Sequence, residues 1–185
     1  MTTQRELILV VCGVPLAARS GDVVNGLLGS GWGLSVVATQ PAMAWIDDIT
    51  VGALTGSPVR VDHRSPDQPK RGPSPAAVVV CPGTFNTVNK AAIGIADNYA
   101  LGVICEALGS RVPLVVVPMV NDKLWGHPAW QVSLTTLEAA GTRFVDIHTG
   151  RAGARPVISG SGGEAVSAFN PSWLLGHLEE LAPRP

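Results

Sequence analysis

The residues able to do chemistry gather in four short turns. They are Gly13-Val14-Pro15-Leu16, Thr39-Gln40-Pro41, Pro82-Gly83-Thr84-Phe85-Asn86-Thr87 and Pro118-Met119-Val120-Asn121, each directly after a short apolar run. Their polar members are hydroxyls and amides without formal charge. Thr and Asn are common helix caps, which alone accounts for Thr84 or Asn121 taken singly. Unpaired backbone N–H groups at helix starts, with Thr hydroxyls beside them, also suit an anionic group such as a phosphate. Four such turns on one edge favour that second role.

Other patterns are weaker. Cys12, Cys81 and Cys105 form no CxxC pair and no His stands at metal-ligand spacing, so no metal site is expected and the thiols fit a reducing cytoplasm. No GxSxG elbow accompanies His63, His127, His148 or His177, which sets aside a serine hydrolase. Gly29-Ser30-Gly31-Trp32-Gly33 has the spelling of a dinucleotide fingerprint but follows a helical stretch and precedes a strand, the reverse of the required order. The first turn lacks both that fingerprint and the lysine-bearing phosphate loop, and no acid follows the second apolar run. NAD and nucleoside triphosphates are therefore poorly supported.

The elements that must position the four turns follow from periodicity. Leu7–Cys12, Leu34–Ala38, Ala76–Cys81 and Val112–Val117 are short, wholly apolar and rich in Val and Ile, as strands buried on both faces of a parallel sheet are. Stretches of helical length lie between them, at Ala17–Leu28, Pro41–Leu54, Thr84–Leu108 and Asp122–Ala140. Alternating strand and helix predicts a doubly wound α/β sheet, whose ligands bind beyond the carboxyl ends of the strands. One domain is expected over residues 1–185, with a core at about 5–147. A proline-rich surface loop is expected at 62–75 and a last helix at about 171–182. The glycine-rich stretch 150–163 reads as mobile, either a flap over a ligand or a loose connection.

Composition narrows the classes further. Of the 185 residues 46% are hydrophobic, enough for a sizeable core, and mean hydropathy is +0.28, so disorder is ruled out. No uninterrupted apolar run reaches the length of a membrane span. The run Leu7–Leu16 imitates a signal peptide, but Glu6 before it and Gly13 within it suit a buried strand entering a helix better. A net charge of −1 removes the electrostatic case for nucleic acid. Charged residues make up only 15%, against about 25% in ordinary domains. With 21 Gly and 15 Pro, this argues against a freely solvated monomer.

Pro82–Thr87 resembles the PASANT motif, and Pro118–Trp125 resembles the PxMNxxMW motif, of the homo-oligomeric flavin-containing cysteine decarboxylases. Phosphopantothenoylcysteine decarboxylase and the lantibiotic peptidyl-cysteine decarboxylases belong to that family. Gly94-Ile95-Ala96-Asp97-Asn98, His127-Pro128, Leu54-Thr55-Gly56 and Gly13 match it in the same order, so the resemblance spans roughly residues 5–147. It implies a flavodoxin-like parallel sheet with helices on both faces, FMN bound between protomers, and a cytoplasmic homo-oligomer built of trimers. It also implies a decarboxylase-like carbon–carbon lyase acting on a small molecule or peptide with a thiol or carboxylate. By the same resemblance, Gly13, Val14 and Pro15 form the first flavin-contacting turn and Thr39 contacts its phosphate. Thr84, Phe85, Asn86, Thr87 and Met119 line the flavin, and Asn121 is the catalytic position that contacts substrate.

The departures from the family pattern are specific. Gln68 stands where the family has its catalytic His, and glutamine cannot shuttle a proton near neutral pH. His63 lies five residues earlier in the same loop. Val120 and Leu124 replace the two motif methionines, and no cysteine follows Cys105. A catalytically silent flavin-binding or regulatory subunit is therefore the alternative. A flavin prenyltransferase, which shares the fold and a similar GIADN-like stretch, is disfavoured by the segment from Pro118 to Pro128.

Overall fold

The computed structural model describes residues 5–63 and 75–182. Gln68 and residues 64–74 of the expected loop lie outside this range. Five parallel strands, β1 (Arg5–Val11), β2 (Trp32–Ala38), β3 (Ala77–Gly83), β4 (Leu114–Pro118) and β5 (Arg143–Phe144), form one sheet in the order β2-β1-β3-β4-β5. This is the flavodoxin-like order, and its switch point falls between β1 and β3. The helices are α1 (Ser20–Gly29), α2 (Asp48–Thr55), α3 (Phe85–Ala92), α4 (Tyr99–Gly109), α5 (Asp122–Trp125), α6 (Pro128–Ala139), α7 (Gly162–Ala168) and α8 (Trp173–Leu181).

The apolar runs become strands because both sheet faces are covered. Alternate side chains point opposite ways, so Leu7, Leu9, Val11, Val79 and Cys81 join the core under α1, α2, α7 and α8. Val10, Val78, Val80 and Val116 join the second core, under α3, α4 and α6. Full burial of every residue from Ala77 to Gly83 leaves β3 no solvated face, hence its uninterrupted apolar sequence.

Three helical stretches are broken where the sequence reading made them continuous. Thr84–Leu108 divides at Gly94, whose φ of +75° ends α3, and Asn98 then opens α4 by accepting from the Leu101 amide at 2.9 Å. Asp122–Ala140 divides at Gly126-His127-Pro128, where Pro128 starts α6 and His127 Nδ1 accepts from the Ala129 amide at 3.1 Å. Pro41–Leu54 divides into a 3-10 turn at Gln40–Ala44 and α2, capped by Asp47. The fifth strand is only two residues long, too short to leave an apolar run.

Candidate functional site

Parallel pairing brings the four turns side by side. The Thr39 amide donates to Val11 O at 3.0 Å, the Cys12 amide to Pro82 O at 3.1 Å, and the Met119 amide to Gly83 O at 2.9 Å. The turns after β2, β1, β3 and β4 are thus stitched into one continuous ledge at the carboxyl edge, centred on the switch point. Gly13 allows the first two to touch, since a Cβ there would lie 2.7 Å from the Pro41 carbonyl carbon and 2.8 Å from its oxygen. Val14 and Pro15, which enters a 3-10 turn, are half-buried beside it, as is Thr39.

The third turn supplies most of the hydrogen-bonding groups. Thr84 caps α3, its hydroxyl accepting from the Thr87 amide at 3.2 Å and donating to the Thr87 hydroxyl at 2.9 Å. Phe85 and Asn86 open the helix, where their amides have no intrahelical carbonyl to reach. Asn86 is exposed, Phe85 half-buried and Thr87 buried. Phe85 stacks on Trp130 with ring centroids 5.5 Å apart and meets His127 edge-on at 5.6 Å. Cys12, which the motif reading passed over, donates from Sγ to Thr87 Oγ1 at 3.4 Å and so ties the first turn to the third. Burial raises the Cys12 thiol above its ordinary range despite the Thr87 and Thr84 hydrogen bonds, so it sits there as a neutral thiol. Its position as the last residue of the apolar run Leu7–Cys12, directly before Gly13, was the signal available in the sequence.

In the fourth turn Met119 is buried, whereas Asn121 is exposed and caps α5 through Oδ1, which accepts from the Leu124 amide at 2.9 Å. The cap engages the oxygen, leaving the side-chain NH2 of this exposed residue as its remaining donor. The glycine-rich stretch returns to this turn. Val157 pairs parallel with Asn121, donating to Val120 O at 2.9 Å and accepting from the Asp122 amide at 3.0 Å. The Ser159 amide donates to Asp122 Oδ1 at 2.8 Å, and with the Ser159 hydroxyl it holds the Asp122 carboxyl below its ordinary range. His63 rests edge-on against Tyr99 at the start of α4, centroids 5.2 Å apart.

A flavodoxin-like sheet with an amide-rich, uncharged ledge at its switch point defines a class of proteins that bind phosphorylated ligands at the strand ends. The sequence model of the Flavoprotein family matches residues 1–163, and the chain belongs to that family. It is 26% identical over 155 residues to the coenzyme A biosynthesis bifunctional protein CoaBC of Mycolicibacterium smegmatis, covering 82% of this chain but 37% of that one. The chain thus spans little more than a third of that relative. A probable phosphopantothenoylcysteine decarboxylase of Streptococcus mutans is 25% identical over 147 residues, covering 76% of this chain and 82% of that protein. Among solved structures, the FMN-dependent cysteine decarboxylase SpaF superposes with a TM-score of 0.68 at 26% identity, over 89% of this chain and 95% of that one. AnUbiX, solved with FMN and dimethylallyl pyrophosphate, superposes with a TM-score of 0.69 at 15% identity, over 98% and 94%, which shows a shared fold.

The ledge has the chemistry a flavin phosphate needs. The Thr39 hydroxyl, the Asn86 side chain and the opening amides of α3 are neutral donors beside a helix N-terminus, whose dipole favours an anion. Half-buried Val14, Pro15 and Phe85 give the apolar surface that a flat ring system requires.

Proposed function

We propose that the chain binds FMN along this ledge and acts as a decarboxylase-like lyase on a thiol-bearing carboxylate, either a small cysteine derivative or a peptide ending in cysteine. One observation carries the reading: the four turns are hydrogen-bonded in register at the switch point, and no charged side chain belongs to them. Gly13, Val14 and Pro15 receive one side of the flavin, Thr39 its phosphate, and Thr84, Phe85, Asn86, Thr87 and Met119 the rest. Bound there, FMN supplies an electron acceptor for the carbon that carries the thiol. SpaF, an FMN-dependent cysteine decarboxylase by description, and the probable phosphopantothenoylcysteine decarboxylase of Streptococcus mutans support the substrate class.

Asn121 orients the substrate. Its NH2 donates a hydrogen bond to a carboxylate or thiolate without adding charge, and the cap on α5 fixes the direction of that donor. Asn121→Asp tests this, because Asp keeps the cap while placing an anion opposite the substrate carboxylate. With FMN-loaded protein, CO2 release from cysteine-terminated compounds is expected to fall about a hundredfold or more. Turnover equal to the unaltered protein's removes Asn121 from this role.

Gln68 favours a second reading, a flavin-binding subunit without turnover of its own, because its amide can hold a substrate but cannot take a proton near neutral pH. Gln68→His separates the two. Thiol-dependent CO2 release that appears only in the variant assigns the natural chain to the silent class; release by the unaltered chain assigns it to the lyases. In either case, burying a ligand between copies of the chain accounts for the low charge, and we expect a homo-oligomer built of trimers.

A further inference from the structure

The chain leaves β5 into a tight knot before it reaches the ledge. Asp146, 3% exposed, lies at its centre. Its carboxylate accepts from Arg155 Nε at 2.8 Å and Nη2 at 3.0 Å, from the Thr149 hydroxyl at 2.9 Å and from the His148 amide at 3.0 Å. Its amide donates to Arg151 O at 2.8 Å, and its own carbonyl accepts from Gly150 at 2.8 Å. Val145 and Ala152 bridge antiparallel across the knot. Two residues beyond Arg155, Val157 pairs with the Asn121 turn, and Gly162 then lies beside Met119, its Cβ position 3.5 Å from Met119 Cε.

We infer that the Arg155–Asp146 pair is a positioning device for the substrate side of the site. The forked guanidinium on a buried carboxylate fixes the point from which residues 156–161 depart, and that strap is hydrogen-bonded to the backbone on both sides of Asn121. The assignment of a substrate to Asn121 rests on the function proposed above; the mechanical link between Arg155 and the Asn121 turn does not. The Arg155 side chain is 60% exposed, so its own contribution to global stability is small, as in half-solvated ion pairs, whereas the Asp146 carboxylate is also held by Thr149 and the His148 amide. Its two parallel hydrogen bonds contribute direction. Loss of Arg155 therefore frees the strap and leaves the sheet intact.

The test is amide hydrogen exchange on the full chain, with and without FMN, comparing the unaltered protein with Arg155→Ala and Arg155→Lys. Exchange at Asp122 and Val157 is expected to accelerate about tenfold or more in Arg155→Ala. The acceleration is smaller in Arg155→Lys, which keeps the charge and loses the fork, while Cys12 and Thr39 exchange as before. Unchanged exchange at Asp122 and Val157 overturns the inference, as does acceleration shared equally by Cys12 and Thr39. If Arg155→Ala does not fold, Arg155→Lys decides by the same comparison. A kinetic arm uses a cysteine-terminated peptide that the unaltered protein decarboxylates: KM is expected to rise about tenfold in Arg155→Ala, with kcat little changed and FMN affinity retained. A fall in kcat at constant KM contradicts the positioning role. If the unaltered protein turns over no such peptide, the proposed activity fails and the exchange data alone judge the strap.

Discussion

Gly13 matters for what it lacks. The ledge is continuous because the turns after β1 and β2 approach more closely than any side chain permits, and a Cβ at Gly13 would collide with backbone atoms of Pro41 that have no rotamer to escape into. Gly13→Ala is expected to cost about 1–3 kcal/mol, as overpacking does, and to weaken FMN binding. Thermal unfolding with a parallel FMN titration checks both, and a variant matching the unaltered protein in each contradicts the close-approach account. Asp146 gives the second prediction at this scale. Burial alone would raise its carboxyl, but the hydrogen bonds from Arg155, Thr149 and the His148 amide outweigh that and hold it at about 2 against an ordinary 3.8. A carboxyl depressed on folding stabilises the protein above its unfolded value, and that contribution is lost as pH falls through the folded value. The stability difference between the unaltered protein and Asp146→Asn is expected to be about 1–2 kcal/mol at neutral pH, allowing for the solvated guanidinium. It should shrink between about pH 4 and pH 2; a difference constant over that range contradicts the account.

At the scale of elements, helix starts carry the site and helix ends locate it. Thr84 both caps α3 and orients the Thr87 hydroxyl, so Thr84→Ala is expected to cost about 1 kcal/mol while Thr84→Ser retains most of the stability. Denaturant unfolding of the two variants distinguishes them, and equal losses would argue against the cap. Gly94→Ala is expected to cost about 1 kcal/mol for its left-handed backbone. The strands after which these turns fall were legible in the sequence, because burial on both faces leaves an uninterrupted apolar run such as Val78–Val80. The break at Gly94 was not, since a single glycine is also tolerated within an uninterrupted helix. Neither was β5, whose two residues carry no pattern. The polar residues of the ledge were legible as strand-end turns, whereas Cys12 looked like one more apolar residue. Asp146 and Arg155, nine positions apart in a stretch of turns and bends, gave no local signal, because only the fold brings their charges together.

At the scale of the whole molecule, both cores draw on β1, β2, β3 and β4, so the ledge is supported from each side by packed helices. The outer surface is less finished. Ile93, at the end of α3, is 71% exposed, and Val132 on α6, which packs against α3, is 66% exposed. With few charges elsewhere, these apolar groups are expected to be covered by further copies of the chain. Light scattering should give a mass that is a multiple of 19.2 kDa consistent with trimers, and a mass near 19.2 kDa contradicts the oligomer. FMN is expected to bind on the ledge at the β1/β3 switch point. The most direct measurement is the absorbance spectrum of the purified protein, followed by titration of flavin-free protein with FMN for the unaltered chain and for Gly13→Ala. An oxidised-flavin spectrum or saturable FMN uptake is expected, with markedly weaker uptake in Gly13→Ala; a colourless protein that takes up no added FMN contradicts FMN binding on the ledge.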